Sequence, residues 1–333
     1  MEREEKADRR ELRTGVVLRW GARLAFAALG IGVVASLVRQ AGAGALVAIL
    51  RGAAPWLPLV VALELLRVGT DALATYAAYG DRAKMLSVPA LARASLVARA
   101  VSSIAPAGRA AAEATKAALL APWAGPAAAT AAGATVQAVT LVSGGIISVP
   151  CAAAAYALSG ASAITLALVL HAALLVLAGT LLRVVMRASW FGALARRVSR
   201  RAGERVVVFQ ERARETRLLP PGPVAVMLVG RVIQVAQYAI LARAVGAATG
   251  ASRALVAQGA NMVSLAVGAF VPAQVGVSEG AFAWSADVLG ATVPQAVAIA
   301  MLCHALEAVF VAVGAIVPLA WSSPAAPGER PEH

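Results

Sequence analysis

Two glutamates stand in predominantly apolar stretches of this chain, each seven residues after a proline. Glu113 follows Pro106 in SSIAPAGRAAAEATKAALL, and Glu279 follows Pro272 in GAFVPAQVGVSEGAFAW. A carboxylate in a hydrocarbon environment is costly and is usually kept there for function. Such a group can hold a proton, pair with an arginine or meet the amine of a zwitterionic lipid. It can also simply stabilise a helix N-terminus, where the backbone dipole favours negative charge. The glutamates are 166 residues apart in a chain of 333, which points to a duplicated unit with a site at its centre.

The breaks themselves carry chemistry. Pro106 with Gly108, and Pro272 with Gly276, unwind a helix, free backbone groups and aim a helix N-terminus into the protein. That positive end suits a phosphate, as does Arg109 beside the first break. Upstream, Glu64, Arg67 and Asp71 are spaced three and four apart and share one helix face. That face is expected to look into protein or a wet cavity, either as a ligand site or as a self-neutralising structural ladder. Arg231, Gln234, Gln237 and Tyr238 form a similar broad face in the second half. Two such helices offer an anionic headgroup site, or polar packing between helices. Arg99 either neutralises Glu113 or contacts substrate. Asn261, Gln274 and Ser278 line the second break, with a capping role for Ser278 an equal alternative. His304 and Glu307, three apart, suit proton coupling, although a structural pair is the reading preferred from sequence. His171 stands alone and is assigned nothing.

The elements that must position these residues are long and apolar. Sixty per cent of the chain is hydrophobic and its mean hydropathy is +0.76, well above the apolar content of soluble domains. The fold class read from this is an all-α polytopic membrane protein of about seven spans plus two re-entrant hairpins in an inverted repeat. The net charge is +13, and the arginines cluster in the N-terminal tail and one central loop. It fits a cytoplasmic face on anionic lipid, not a nucleic-acid partner. Cys151 and Cys303 give neither a disulfide framework nor a metal pattern, and no cleavable signal peptide is evident.

The organisation expected is a cytoplasmic tail (1–15), a first membrane half (16–186), a basic cytoplasmic loop (187–221), a second membrane half (222–320) and a polar tail (321–333). The first half holds a helix at about 16–38, an external link through Gly42, Gly44 and Pro55, and a helix at about 56–79. A hairpin over 88–121 follows, then a span from Pro126 to Val149, the link CAAAAYALSG and a span at about 164–186. The second half runs through a span at 224–245, a hairpin over 254–289 and a span at 294–319. In the basic loop, Trp190, Phe191, Leu194 and Val198 recur at helical spacing among arginines. That is the pattern of an interfacial amphipathic helix or a solvated linker helix. The count makes the halves antiparallel, so the first hairpin enters from the cytoplasm and the second from outside.

The segment FVPAQVGVSEGAFAWSADVLGATVPQAVAIAMLCHALE resembles the most recognisable stretch of the lysylphosphatidylglycerol synthase transmembrane (flippase-like) family. There a Pro-Gly-Gly-x-Gly-x-x-Glu-like hairpin precedes a Leu-Gly and another apolar span. Pro272, Gly276, Glu279, Leu289 and Gly290 match, whereas Ala273 and Gln274 replace the usual glycines. SSIAPAGRAAAEATKAALL loosely resembles the family's Pro-x-x-x-Gly-Glu region, and the similarity spans about residues 15–320. The resemblance implies a membrane domain that moves lipids between leaflets. The aminoacyl-transferase domain that full-length synthases carry is expected to be absent here.

The function expected is translocation of an anionic or zwitterionic lipid, in a bacterial inner membrane, with both termini cytoplasmic. Arg67, Arg231 and the hairpin N-termini would bind phosphate, and Glu113 and Glu279 would respond to protons or amines. The alternatives are an intramembrane transferase acting on a lipid-linked substrate and a non-transporting accessory subunit. No metal-ligand spacing, nucleophile elbow or nucleotide loop stands in a believable context, so no enzyme, cofactor or metal is expected. Partners expected are membrane lipid as substrate and anionic lipid at the basic loop, with no nucleic acid, and an oligomer is left open.

Overall fold

The structure, a computed structural model, describes residues 32, 35, 36, 38, 39, 42–105, 107–269, 271 and 274–321. The expected tail 1–15, most of the helix at 16–38, Pro106, Pro272 and residues 322–333 lie outside the described residues. Among the described residues every regular element is helical.

Helix α1 (Ala43–Ala53) passes through a single 3-10 turn, Ala54–Trp56, into α2 (Leu57–Ala78). The external link expected around Gly44 and Pro55 is therefore helix. Pro55 and Pro58 sit in first turns, where a missing N–H costs no intrahelical bond. Next come α3 (Val88–Ile104), α4 (Gly108–Ala124), α5 (Pro126–Ser159) and α6 (Ala163–Arg187). A pair of shorter helices, α7 (Ser189–Val198) and α8 (Arg200–Glu215), leads to α9 (Pro221–Ala244) and α10 (Ala251–Val267). The chain ends in α11 (Val277–Trp284), α12 (Ala286–Leu289) and α13 (Val293–Ala320).

Five stretches among the described residues are long and apolar enough to cross a membrane: Ala43–Ala78, α5, α6, α9 and α13. The shortest has 24 residues, about 36 Å of helix against about 30 Å of hydrocarbon. Their outward faces are what a bilayer requires. On α6, Leu166, Leu170, Leu174, Leu177 and Leu181 form an exposed stripe along the whole helix. An apolar strip of that length would be an aggregation surface in water. The chain is thus an all-α, multi-pass membrane protein.

Helix α5 is the central post, with α4, α6, α8, α9 and α10 packed around it. Its small residues let α6 come close. A Cβ on Gly145 would lie 2.7 Å from the Ala172 carbonyl, and one on Gly179 would lie 2.7 Å from that of Ala138. Sequence reading ended this span at Val149 and made CAAAAYALSG a link, but the helix runs through Pro150 to Ser159. A proline breaks one backbone bond and kinks a helix. Here the alanine-rich continuation favours helix, and Cys151, Ala152, Ala154 and Ala155 are buried in the main core.

The basic loop is two helices that pack on each other, with α8 also resting on α5. Trp190 and Leu194 are both at least half exposed. What fixes the loop is Arg183 near the end of α6, which is fully buried. It donates to the carbonyls of Leu218 (2.8 Å) and Arg217 (2.6 Å) and to the hydroxyls of Thr135 (2.8 Å) and Thr216 (2.9 Å). Arg187 adds a bond to the Thr216 carbonyl at 2.7 Å.

The close approach of α5 and α6 is directly testable. Gly145→Leu should force the two backbones apart and cost about 1–3 kcal/mol, seen as a lower melting temperature of the purified protein in detergent. Gly69→Ala, at a position with nothing within 4 Å of the added carbon, should leave the melt unchanged. Equal melting of the two variants would refute the packing.

Candidate functional site

On α2, the residues spaced three and four apart turn away from the lipid. Leu59, Leu66 and Leu73 are exposed on one side, while Glu64, Arg67 and Asp71 meet α3 and α4 on the other. The break between α3 and α4 determines what they meet. Ala107 takes a left-handed backbone, φ 52°, and Gly108 then sits so tightly that a Cβ would lie 1.9 Å from the Ser102 carbonyl oxygen. Only glycine fits there. From that turn, Arg109, Glu113 and Lys116 follow at helical spacing along one side of α4.

One cluster forms around Lys116, which is 1% exposed. Its ammonium lies 2.9 Å from Asp71, 2.9 Å from Glu113 and 2.9 Å from the Thr75 hydroxyl. Arg109 pairs with Asp71, lies 3.1 Å from Glu113 and donates to Thr140 of α5 at 3.1 Å. Two carboxylates and two cations thus close a neutral box joining α2, α4 and α5.

A second cluster extends from the other end of the same face. Glu64 accepts two bonds from Arg67 and one from Arg99 at 3.0 Å. Arg99 reaches Glu307 of α13 at 3.4 Å. His304, one turn before Glu307, has Nδ1 3.8 Å from that carboxylate and Nε2 3.3 Å from Glu279 of α11. Glu279 in turn accepts from the Gly276 backbone N–H at 2.8 Å, so it also fastens the end of the second break. Gln274 and Gly276, both at positive φ, shape that break.

Arg231 on α9 is different. It donates to Gln234 at 3.3 Å and has no ion pair among the described residues. Its guanidinium lies against Gly144 of α5, within electrostatic reach of Arg67 and Arg109. Gln234 also accepts from Gln258 at 3.2 Å.

A cavity of about 30 Å³ opens among Arg67, Asp71, Arg99, Arg109, Glu113 and Lys116. That is room for a water or two. Arg231 and Glu279 do not line it. Glu279 connects to Arg67 only through the succession His304, Glu307, Arg99 and Glu64. Of the other residues singled out from sequence, Gln237 donates to the Val60 carbonyl at 3.3 Å and bridges α9 to α2. Ser278 contacts the Ser264 hydroxyl at 3.3 Å, and Tyr238 packs on Phe282. His171 bonds the Ser148 hydroxyl at 3.0 Å, a buried link between α5 and α6.

Sequence reasoning passed over Lys116 and Thr140. Lys116 was detectable: it lies three residues after Glu113 and seven after Arg109, which puts all three on one side of a helix. Arg99 was left between two roles. In the structure it neutralises Glu64 and Glu307, and no ion pair joins it to Glu113.

A family model described as "Lysylphosphatidylglycerol synthase TM region" matches residues 21–314. No curated protein and no solved structure matches the chain.

The box around Lys116 predicts strong non-additivity. Lys116→Met leaves two carboxylates short of a buried cation and should destabilise the protein by about 3–5 kcal/mol. Adding Glu113→Gln should restore part of that loss, because the second change removes one of the uncompensated charges. Thermal melts of the two single variants and the double variant measure the coupling; additive losses would show that the box is not a unit.

Proposed function

Because the chain belongs to the lysylphosphatidylglycerol synthase transmembrane-region family, we propose that it moves an anionic or zwitterionic lipid between the leaflets of a bacterial inner membrane. The observation that carries this reading is Arg231. A guanidinium held between helices without an ion pair among the described residues, with Arg67, Arg109 and Asp71 in electrostatic reach, leaves a positive charge that an anionic headgroup can neutralise. The headgroup phosphate sits between α2 and α9, against Arg231, Arg67 and Arg109. Asp71, Glu113 and Glu279 accept any amine the lipid carries. Arg99, Gln234, Gln237, Gln274 and Ser278 complete the polar wall, and Gly108 and Gly276 end the two breaks.

The cavity as it stands is too small for a headgroup, so transfer includes a step in which the helices part. Arginine's fork can then exchange a carboxylate for a phosphodiester, keeping two acceptor oxygens in place.

The pairing of the helices supports an inverted repeat. Helix α2 packs on its counterpart α9. The first limb of the first hairpin, α3, packs on α13, and the first limb of the second, α10, packs on α5. Exchanging the halves maps one contact onto the other. Limbs of 17 residues span about 26 Å, short of the bilayer core, which suits re-entrant hairpins. The arginines of α7 and α8 rest on anionic lipid at the cytoplasmic face, and both termini lie on that side.

Two experiments test this. In proteoliposomes containing a fluorescent phosphatidylglycerol, Arg231→Gln should slow leaflet transfer by about tenfold to a hundredfold, the worth of a lost charge-assisted bond. It should melt close to the parent protein, since no ion pair is broken. Transfer at the parental rate would remove the headgroup site from α9, and new covalent lipid products in place of transfer would favour the transferase. Separately, single cysteines at Ser87 and at Gly250, near the two hairpin mouths, should label from opposite faces of inverted and right-side-out vesicles. Labelling from one face would exclude the inverted repeat.

A further inference from the structure

The imidazole of His304 stands between two carboxylates, one at each ring nitrogen: Glu279 at Nε2 and Glu307 at Nδ1. A neutral imidazole has one N–H and one lone pair, so one of those carboxylates would face a lone pair. These contacts are charge proximities and not hydrogen bonds, and only the doubly protonated ring turns a cationic N–H toward both carboxylates. The charges around it say the same. In the cluster that holds His304, Glu64, Glu279 and Glu307 are faced by two permanent cations, Arg67 and Arg99. That cluster is neutral when it takes up one further proton, and His304, with a carboxylate near each ring nitrogen, is the base placed to hold it. The box around Lys116 is neutral by itself. Arg231 is then the charge left over among the residues of these two clusters and α9's polar face.

Arg67 is common to both sites: it pairs with Glu64 of the histidine's cluster and lies within electrostatic reach of Arg231. With His304 protonated, the whole assembly carries one net positive charge, and the uncompensated cation is Arg231. We infer that His304 is a proton site linked to anion binding at Arg231: a phosphodiester-bearing anion binds together with one proton, and each tightens the other. This rests on the headgroup site proposed above and adds to it the identity of the co-ligand. A translocase that loads anion and proton together moves no net charge in that step, and it draws on a proton gradient.

The remaining groups facing α13 do not compete for the proton. Helix α9 contributes the Tyr238 hydroxyl, 4.0 Å from the Cys303 sulfur. Helix α3 contributes Arg99 and also Arg93, which bonds the Trp321 carbonyl at 3.0 Å. Arg51 of α1 and Asp287 of α12 are exposed.

The test uses the full chain in detergent and two probes of the same chemistry: short-chain phosphatidylglycerol, and dimethyl phosphate as a free phosphodiester that stays a monoanion. Calorimetric titrations in buffers of different ionisation enthalpy count the protons taken up per ligand bound. Uptake approaching one proton is expected at pH values where His304 is neutral in the free protein, and there affinity should fall as pH rises, by up to about tenfold per unit. His304→Gln should bind with no uptake and little pH dependence. His304→Lys, with a permanent charge, should bind as tightly at high pH as the parent does at low pH. If both probes behave alike, the phosphodiester itself is the ligand; if only the lipid does so, its chains contribute, and either result sustains the linkage. Tight binding by the parent protein without proton uptake overturns the linkage and spares the headgroup site. Unaltered uptake by His304→Gln places the proton elsewhere and also overturns it. No binding of either probe, at any pH, overturns site and linkage together.

Discussion

A lysine ammonium buried between helices, with one carboxylate from its own helix and one from a neighbour, sets the terms for much of this molecule. Neither Lys116 nor its partners can be withdrawn singly, because the charge left behind would sit in an apolar layer at a cost of several kcal/mol. The box therefore fixes α4 against α2, and the Arg109 bond to Thr140 brings in α5. Helix α2 then presents its remaining face residues, Glu64 and Arg67, to the second cluster, which reaches α13 and α11. The charges that make a headgroup site possible are thus the same charges that hold the membrane helices in register. Buried ion pairs of this kind are weak evidence for net stability but strong constraints on arrangement.

That double role bears on how so small a cavity could serve the transfer proposed above. The acidic and basic groups around it satisfy one another, leaving space for little more than water. A phosphodiester resembles a carboxylate in charge and acceptor geometry. On the proposed reading, its arrival would exchange partners among the arginines and leave none of them stripped. A site lined wholly by unpaired cations would bind the same ligand more tightly and release it more slowly than one in which Arg231 alone, of its described cations, lacks an ion pair.

Much of the fold was legible in the chain because the governing signals are local. Long apolar runs gave the helices, and the Pro-Gly breaks gave the two helix interruptions. The same rule misled at Pro55 and Pro150, where proline was taken to end an element. At Pro55 the ring occupies a first turn, and at Pro150 burial of the following alanines outweighs one lost bond. The site was legible face by face, since spacing alone put Glu64, Arg67 and Asp71 together. What could not be read was which face meets which. The contacts of Arg99 with Glu64 and Glu307 span 35 and 208 residues, and that Arg231 forms no ion pair among the described residues is a property of the assembled helices. A sequence names charges without naming their partners.

Arg183 illustrates a different kind of constraint. Two of its four acceptors are main-chain carbonyls, those of Arg217 and Leu218, and neighbouring Arg187 takes a third from Thr216. Carbonyls are common to every residue type, so the junction between α8 and α9 is free to change most of its side chains over evolutionary time. It is not free to change its length, because an inserted or deleted residue would carry those oxygens out of reach of a buried guanidinium. Divergent homologues should therefore tolerate substitutions at this junction while keeping the count of residues between an arginine on α6 and the start of α9.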